Sequence, residues 1–274
     1  MRDLAPQWLN DSDPDAVRTA AALLRVEGLS VDYDRHPALR DVSLAIPEGG
    51  ITAIVGPSGC GKSTFLSCLN RLTDLVPGCT VRGRILIAGQ DILSRKVDLI
   101  ALRRRVGMIF QRPNPFPLSI RANIVFPLRQ HGVRDRHELD KTAETSLRAV
   151  GLWNEVKDRL DAPALGLSGG QQQRLCLARA IALEPEVILL DEPCSALDPI
   201  ASSIVEDLIA SLRGCYTVVI VTHNLAQARR IADEVAILWL EGGAGRLIEH
   251  GPVSRVFAAP QHEISAMYIA GVRG

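Results

Sequence analysis

Eight consecutive residues, Gly56-Pro57-Ser58-Gly59-Cys60-Gly61-Lys62-Ser63, set glycines, a lysine and a hydroxyl at the spacing G-x-x-x-x-G-K-[ST]. Glycines there let successive backbone N–H groups turn inward as a nest for an anion. A helix beginning just after them adds the positive end of its dipole. Lys62 would then reach the β- and γ-phosphates of a nucleoside triphosphate, Ser63 would offer a hydroxyl to Mg²⁺, and Thr64 would touch the α-phosphate. An ordinary glycine-rich turn can match by chance, and the motif alone names a ligand class, not a machine. A second signal lies downstream, where the apolar run Val187-Ile188-Leu189-Leu190 ends in Asp191-Glu192. Asp191 would hold Mg²⁺ through water, and Glu192 would orient or deprotonate an attacking water. Two solvated acids at a strand end are the plain alternative, weakened by the glycine loop upstream.

Both signals need a sheet to carry them. Strands are expected over Leu24 to Val31, Leu39 to Ile46, Ile51 to Val55, Val81 to Ala88 and Val106 to Phe110, with a helix starting near Lys62. After the breaker Pro113-Asn114-Pro115-Phe116-Pro117 the pattern changes. Apolar residues recur at three- and four-residue spacing over Ile120 to Gln130, Arg136 to Val150 and Trp153 to Leu160, which predicts amphipathic helices. A long helix is expected over Gln172 to Ala182. Strands resume at Val187 to Leu190, Thr217 to Val221 and Val235 to Trp239, alternating with helices near 200–212 and 225–232. Such alternation implies a parallel sheet covered on both faces. The expected fold class is α/β, with an inserted helical lobe over about residues 112–175. Residues 1–23 read as an N-terminal extension, with Ala16 to Leu24 a helix candidate; 24–258 form the main domain and 259–274 a C-terminal tail.

The composition narrows the function. Lys plus Arg number 31 and Asp plus Glu 31, so the formal charge is zero and offers no general pull toward nucleic acid or an anionic membrane. A content of 47% apolar and 23% charged residues is that of a folded chain, and only 4% aromatics leaves the core to Leu, Ile, Val and Ala. No apolar run approaches the ~18 residues that cross a bilayer. The acidic start is wrong for a secretory signal, and six cysteines with no C-x-x-C pair fit a reducing interior, not a zinc site or disulfide framework. The chain is therefore expected to stay inside the cell.

Leu167-Ser168-Gly169-Gly170-Gln171, just before the long helix, resembles the signature of ATP-binding cassette (ABC) ATPases. In compatible order stand Gln111 after a strand, Ser195-Ala196-Leu197-Asp198 past the acidic pair, and His223 after the strand Thr217 to Val221. The resemblance spans about residues 24–258 and implies a P-loop core of ABC type, a mostly parallel sheet with an antiparallel β region. It also implies a homodimer in which the phosphate loop of one copy faces the signature of the other, so that Ser168 and Gly170 meet the γ-phosphate in trans. Gln111 would sense the γ-phosphate and Mg²⁺, His223 would hydrogen-bond the γ-phosphate, and Asp198 would contact the opposite subunit. Tyr33 would be the platform for adenine, although Asp32 and Asp34 depart from the aromatic–glycine setting usual there.

Chromosome- and repair-type members carry large insertions between phosphate loop and signature, and translation-type members carry two cassettes; neither fits 274 residues. A transporter subunit with separate permease chains remains. The strings Gln111 to Ile120, Leu152 to Asp158, Gln171 to Cys176, Asp191 to Ser195 and Tyr268-Ile269-Ala270-Gly271 are similar to the ATP-binding subunits of phosphate-specific importers. That resemblance implies ATP hydrolysis coupled to phosphate import, two permease subunits and an extracytoplasmic phosphate-binding protein. It also implies a peripheral seat on the cytoplasmic face of the cell membrane, with Phe116, Pro117 and Leu118 beside Gln111 either as permease contacts or as a proline-rigid hinge around a packed Phe. An importer ATPase for an amino acid or phosphonate, or a soluble regulatory ABC ATPase, is the alternative. Arg103-Arg104-Arg105 reads as one solvated helix turn, and Cys60 as a small residue tolerated in its loop.

Overall fold

A computed structural model describes residues 22–271. Its strands are β1 (Ala22–Tyr33), β2 (His36–Pro47), β3 (Ile51–Val55), β4 (Cys79–Ile87), β5 (Gln90–Asp91), β6 (Val106–Ile109), β7 (Val187–Asp191), β8 (Thr217–Val221), β9 (Glu234–Glu241) and β10 (Ala244–Pro252). They form one sheet ordered β5-β4-β1-β2-β10-β9-β3-β8-β7-β6. From β9 to β6 the neighbours are parallel. On the other side, β1 pairs antiparallel with β2 and β4, β4 with β5, and β10 with β9. The expected mixture of a parallel core and an antiparallel region is present.

Ten helices surround the sheet among the described residues: α1 (Lys62–Leu69), α2 (Leu99–Arg105), α3 (Ile120–Gln130), α4 (Arg136–Ala149), α5 (Trp153–Val156), α6 (Gly169–Ile181), α7 (Pro199–Ser211), α8 (Leu225–Ile231), α9 (Val253–Ala258) and α10 (Glu263–Ile269). The parallel strands are apolar throughout because both faces are covered; every residue of β3 and of β8 is buried. Their alternation divides the interior in two. Ile51, Ala53 and Val55 face a core shared with α3, α4 and α6, whereas Ile54 faces a second core containing Phe65, Leu66 and Leu69 of α1 and the inward residues of β1, β2 and β4. Helix α1 is thereby clamped between the parallel strands and the antiparallel region. That clamp fixes the direction of its N-terminus.

Several expectations are corrected. The helix candidate Ala16 to Leu24 lies largely outside the described residues, and its last residues, Ala22 to Leu24, belong to strand β1. The stretch Trp153 to Leu160 is not one helix: α5 lasts four residues and a 3-10 turn over Lys157–Arg159 follows. Leu152 supplies no side-chain cap there, Val156 is the one buried side chain of α5, and none of the turn's residues is buried, so apolar packing does not extend the helix. The long helix begins at Gly169, three residues earlier than expected, because Ser168 caps it. Residues 253–258 and 263–269, which carried no expected structure, fold as α9 and α10. Two of the three arginines 103–105 are not simply solvated. Arg103 donates to the Asn70 and Arg71 carbonyls at 3.3 and 2.9 Å, and Arg105 forks onto Glu186 at 2.6 and 2.9 Å.

Candidate active site at the carboxyl edge of the sheet

Register decides which side chains meet. Asp191 is paired with Val221, Leu190 with Ile109, and Val221 with Ile54. The strands β3, β6, β7 and β8 therefore end level with one another, and the residues that follow them share one edge. In parallel sheets that edge is where ligands bind.

The loop after β3 needs its glycines at specific places. Gly56 has φ +150°, and a Cβ there would stand 2.1 Å from the Leu238 carbonyl oxygen and 2.8 Å from Cys60 Sγ. Gly61, at φ +89°, is the residue before α1, and its Cβ would meet Leu39 Cδ2 at 2.6 Å. Pro57, Ser58 and Gly59 complete the turn, and Cys60 is fully buried under it. Cys60 is thus a packed residue of the loop's floor, with its thiol raised by burial and its backbone carbonyl against Gly245. The Lys62 ammonium donates to the Gly56 and Pro57 carbonyls at 2.8 Å each, so the charge is held inside the loop.

Ser63 Oγ donates to Asp191 Oδ1 at 3.0 Å, which brings the first signal onto the second. Burial pushes the Asp191 carboxyl above its ordinary value, partly offset by the Ser63 hydroxyl. Glu192 stands next along at φ +44°, a left-handed conformation that a side chain with a Cβ takes at a cost of about 1–3 kcal/mol. Its amide donates to the Val221 carbonyl at 2.9 Å, and the Ser195 amide and hydroxyl return to the Glu192 carbonyl at 3.1 and 3.0 Å. So held, the Glu192 carboxylate accepts Gln111 Nε2 at 3.1 Å on one oxygen and faces His223 Nδ1 at 3.1 Å with the other. Residues 111, 192 and 223, more than a hundred positions apart in sequence from first to last, form one polar group beside the phosphate loop.

Tyr33 is half-buried at the end of β1, and its hydroxyl donates to Thr64 Oγ1 at 3.4 Å. The two unusual neighbours have structural partners. Asp32 pairs with both Arg40 and Arg82, Arg40 being the main reason its carboxyl is held low. Asp34 adopts φ +53° and donates its amide to the Gly78 carbonyl at 2.8 Å.

The signature residues are organised apart from this group. Ser168 and Gln171 form a reciprocal capping box at the start of α6. Gln171 Nε2 also reaches Glu155 at 2.7 Å, and Arg174 donates to the other Glu155 oxygen at 2.7 Å. Leu167 is buried, Gly169 lies 3.5 Å (from its would-be Cβ) from Leu197, and a Cβ on Gly170 would stand 2.8 Å from the Ala201 Cβ. Asp198 caps α7 by accepting the Ile200 and Ala201 amides at 3.0 Å; Ala196 lies within the same turn. Among the described residues, no hydrogen bond links 167–171 to 56–64. Glu155 and Arg174 are the supporting pair that sequence reasoning assigned no role. Their one sequence signal is the three-residue step from Gln171 to Arg174, which puts both side chains on one face of a helix.

A glycine cradle at a helix start, with a lysine inside it and an acidic pair across the sheet edge, defines a P-loop nucleotide-binding protein. The model of the ABC transporter family matches residues 39–195, and the chain belongs to that family of ATP-binding proteins. A "Phosphate import ATP-binding protein PstB 1" of Nitrosococcus oceani is 60% identical over 253 residues, covering 92% of this chain and 91% of that one. A "Phosphate import ATP-binding protein PstB" of Mycolicibacterium smegmatis is 52% identical, covering 92% and 98%. Among solved structures, cbiO1 of Clostridium perfringens, described as part of the ABC transporter complex cbiONQ, superposes with a TM-score of 0.73 at 30% identity over 92% of this chain and 95% of that one.

Proposed function

We propose that the chain is the ATP-hydrolysing subunit of an importer of inorganic phosphate. The cargo follows from the 60% identity to the Nitrosococcus oceani protein over nearly the whole of both chains. The observation that carries the engine is the convergence of Ser63, Asp191, Gln111, Glu192 and His223 on the edge where the phosphate loop ends.

In this reading Lys62 exchanges its loop carbonyls for the β- and γ-phosphate oxygens, and Tyr33 stacks on adenine while Thr64 meets the α-phosphate. The Asp191 carboxylate and Ser63 hydroxyl, 3.0 Å apart, suit a hard cation that takes the rest of its shell from phosphate and water oxygens. Ser63, Gln111 and, through water, Asp191 would hold Mg²⁺, whose charge offsets that building on the transferred phosphoryl group. Glu192 orients and deprotonates the water, while Gln111, donating to one of its oxygens, and His223, facing the other, fix the direction of the carboxylate. No second carboxylate is needed for that step.

The γ-phosphate still lacks donors on its outer side. The start of α6, with the Ser168 hydroxyl and the Gly169 and Gly170 amides, offers them as a helix N-terminus does. Since no bond joins that segment to residues 56–64 of its own chain, a second copy supplies it. Two copies then enclose two ATP, and Asp198 lies where each meets the other. Gln111 passes the state of the γ-phosphate to Phe116, Pro117 and Leu118. Arg179 of α6 grips that loop through the Asn114 carbonyl at 3.1 Å and lies 4.3 Å from the Phe116 ring centroid. Exposed Leu118 and Phe126 beside it form the apolar contact for a permease. Among the described residues no helix is long and apolar enough to cross a membrane, and in this reading separate permease chains supply the conduit. An external phosphate-binding protein would deliver the cargo.

Affinity capture of the tagged chain from detergent-solubilised membranes tests this. Two multi-spanning proteins should copurify, and the reconstituted complex should hydrolyse ATP faster when phosphate and its binding protein are supplied outside. Capture without membrane partners, or stimulation by a different solute alone, would overturn it.

A further inference from the structure

Glu206 is a carboxylate in the body of α7, only 8% exposed, and no step of the reaction described above uses it. One of its oxygens accepts the side-chain amide of Gln227, on α8, at 2.9 Å. The other pairs with Arg230, three residues further along α8. Gln227 is buried as well. Burying an acid is costly unless it is paired and hydrogen-bonded, and a satisfied network of that kind fixes the elements that carry it. Here it clips α7 to α8.

Both helices set out from the reacting edge. At the start of α7, the Ser202 hydroxyl donates to the Cys194 and Leu197 carbonyls at 3.4 and 3.5 Å. The loop after Glu192 is thereby tied to the helix that carries Glu206. At the start of α8, the Gln227 amide donates to Asn224 Oδ1 at 3.1 Å, and the Asn224 amide donates to Thr222 Oγ1 at 3.0 Å. His223 is the residue between Thr222 and Asn224. Gln227 therefore holds that turn with its main chain and reaches Glu206 with its side chain. The His223 side chain is 59% exposed, so packing does not aim its ring; the backbone that carries it must. Its Nδ1 faces Glu192 Oε1 at 3.1 Å, and the α7–α8 clip closes the circuit behind the two residues.

We propose that Glu206 is a positioning residue for the Glu192–His223 pair: by joining α7 to α8 through Gln227, it sets the spacing between the carboxylate and the imidazole. The inference rests on the reading in which Glu192 and His223 act at the γ-phosphate. The spacing matters to the chemical step and not to the cradle around Lys62, so its loss lowers kcat and leaves the affinity for ATP in place.

Glu206→Gln keeps the shape and one acceptor oxygen but sets an amide against Arg230. With the full chain, assayed well below its melting temperature, kcat should fall about three- to tenfold, the reach of one weakened hydrogen bond. Kd and KM for ATP should stay within about twofold. In a His223→Ala background the same substitution should cost less than about twofold, because no imidazole is left to place. Where Glu206→Gln fails to fold, Gln227→Leu breaks the clip and spares the Arg230 pair, with the same results expected. An unchanged kcat in the folded variant overturns the proposal. So does an equal loss in both backgrounds, or a matching loss of ATP affinity, either of which makes Glu206 a stability group only. His223→Ala alone separates the two levels. Wild-type turnover there removes the histidine's role and the proposal with it, whereas slow turnover there with normal turnover in Glu206→Gln removes only the role of Glu206.

Discussion

Two helix starts in this molecule carry glycines and free amides, and they are finished differently. At α1, the polar groups close on one another within the chain: Lys62 bonds into its own loop, Ser63 reaches Asp191, and Glu192 gathers Gln111 and His223. At α6, the capping box and the Glu155–Arg174 pair complete the local structure, and nothing turns toward a ligand within the same chain. The first is a site that its own sheet assembles; the second is a locally completed helix start, which the proposed dimer would set against a counterpart. Damage at α1 should therefore remove nucleotide affinity or the chemical step in a single copy. Damage at α6 should leave binding intact and remove what requires two copies.

The largest expected effects test the first half. Lys62→Ala removes the one ammonium in the cradle and should weaken ATP binding by on the order of 100-fold, the range of charge-assisted hydrogen bonds to phosphate. Isothermal titration checks it, and tight binding in the variant would break the assignment. Glu192→Gln keeps shape and one acceptor oxygen but cannot take a proton. Hydrolysis should fall about 10²- to 10⁴-fold with ATP affinity retained. Turnover at the wild-type rate would remove Glu192 from its role.

The second half is sharpened at Gly170. An alanine there would set its Cβ 2.8 Å from the Ala201 Cβ, and helix α6 must shift against α7 to relieve it. Overpacking of this kind costs about 1–3 kcal/mol. If, as proposed, these donors serve a second copy, the shift displaces them, and hydrolysis should fall at least about tenfold while ATP binding at low protein concentration stays normal. If Gly170→Ala instead abolished nucleotide binding by the isolated copy, the separation of the two helix starts would be wrong.

The sequence carried the parallel core most openly. Ile51 to Val55 and Thr217 to Val221 are apolar runs bounded by turn residues, and both are strands with those limits. Ile120 to Gln130 declares its period, and α3 has those limits. Strand β10 did not declare itself, because Gly245 and Gly251 interrupt any alternation and its partner β9 decides the pairing. The phosphate loop could be read locally, since a contiguous string specifies it. The meeting of Gln111, Glu192 and His223 could not. It depends on β6, β7 and β8 ending level, which is a matter of register, and only family resemblance brought those residues together beforehand. Glu155 was hidden for the same reason, its partners being on another helix.

Glu155 gives the smallest and most discriminating effect. Arg174, followed by Gln171, holds its carboxyl below the ordinary 4.5. A lowered carboxylate contributes stability above its unfolded value and loses it as pH falls through the folded one. The pairing is therefore fully present at pH 7 and fades below about pH 4.5. The carboxylate side chain is 39% exposed, so solvent screens it and the contribution to global stability is modest. Its positional effect is larger, because Arg174 is 8% exposed and Gln171 belongs to the capping box. Glu155→Gln should lower the melting temperature at pH 7 by only about 1–3 °C. The deficit should shrink as pH drops toward 4, where the wild type also loses the charge. Hydrolysis should fall by about two- to fivefold, the reach of one weakened hydrogen bond, with no change in ATP affinity. A variant whose thermal deficit grew on acidification would show that the Arg174 pairing is not what holds the start of α6.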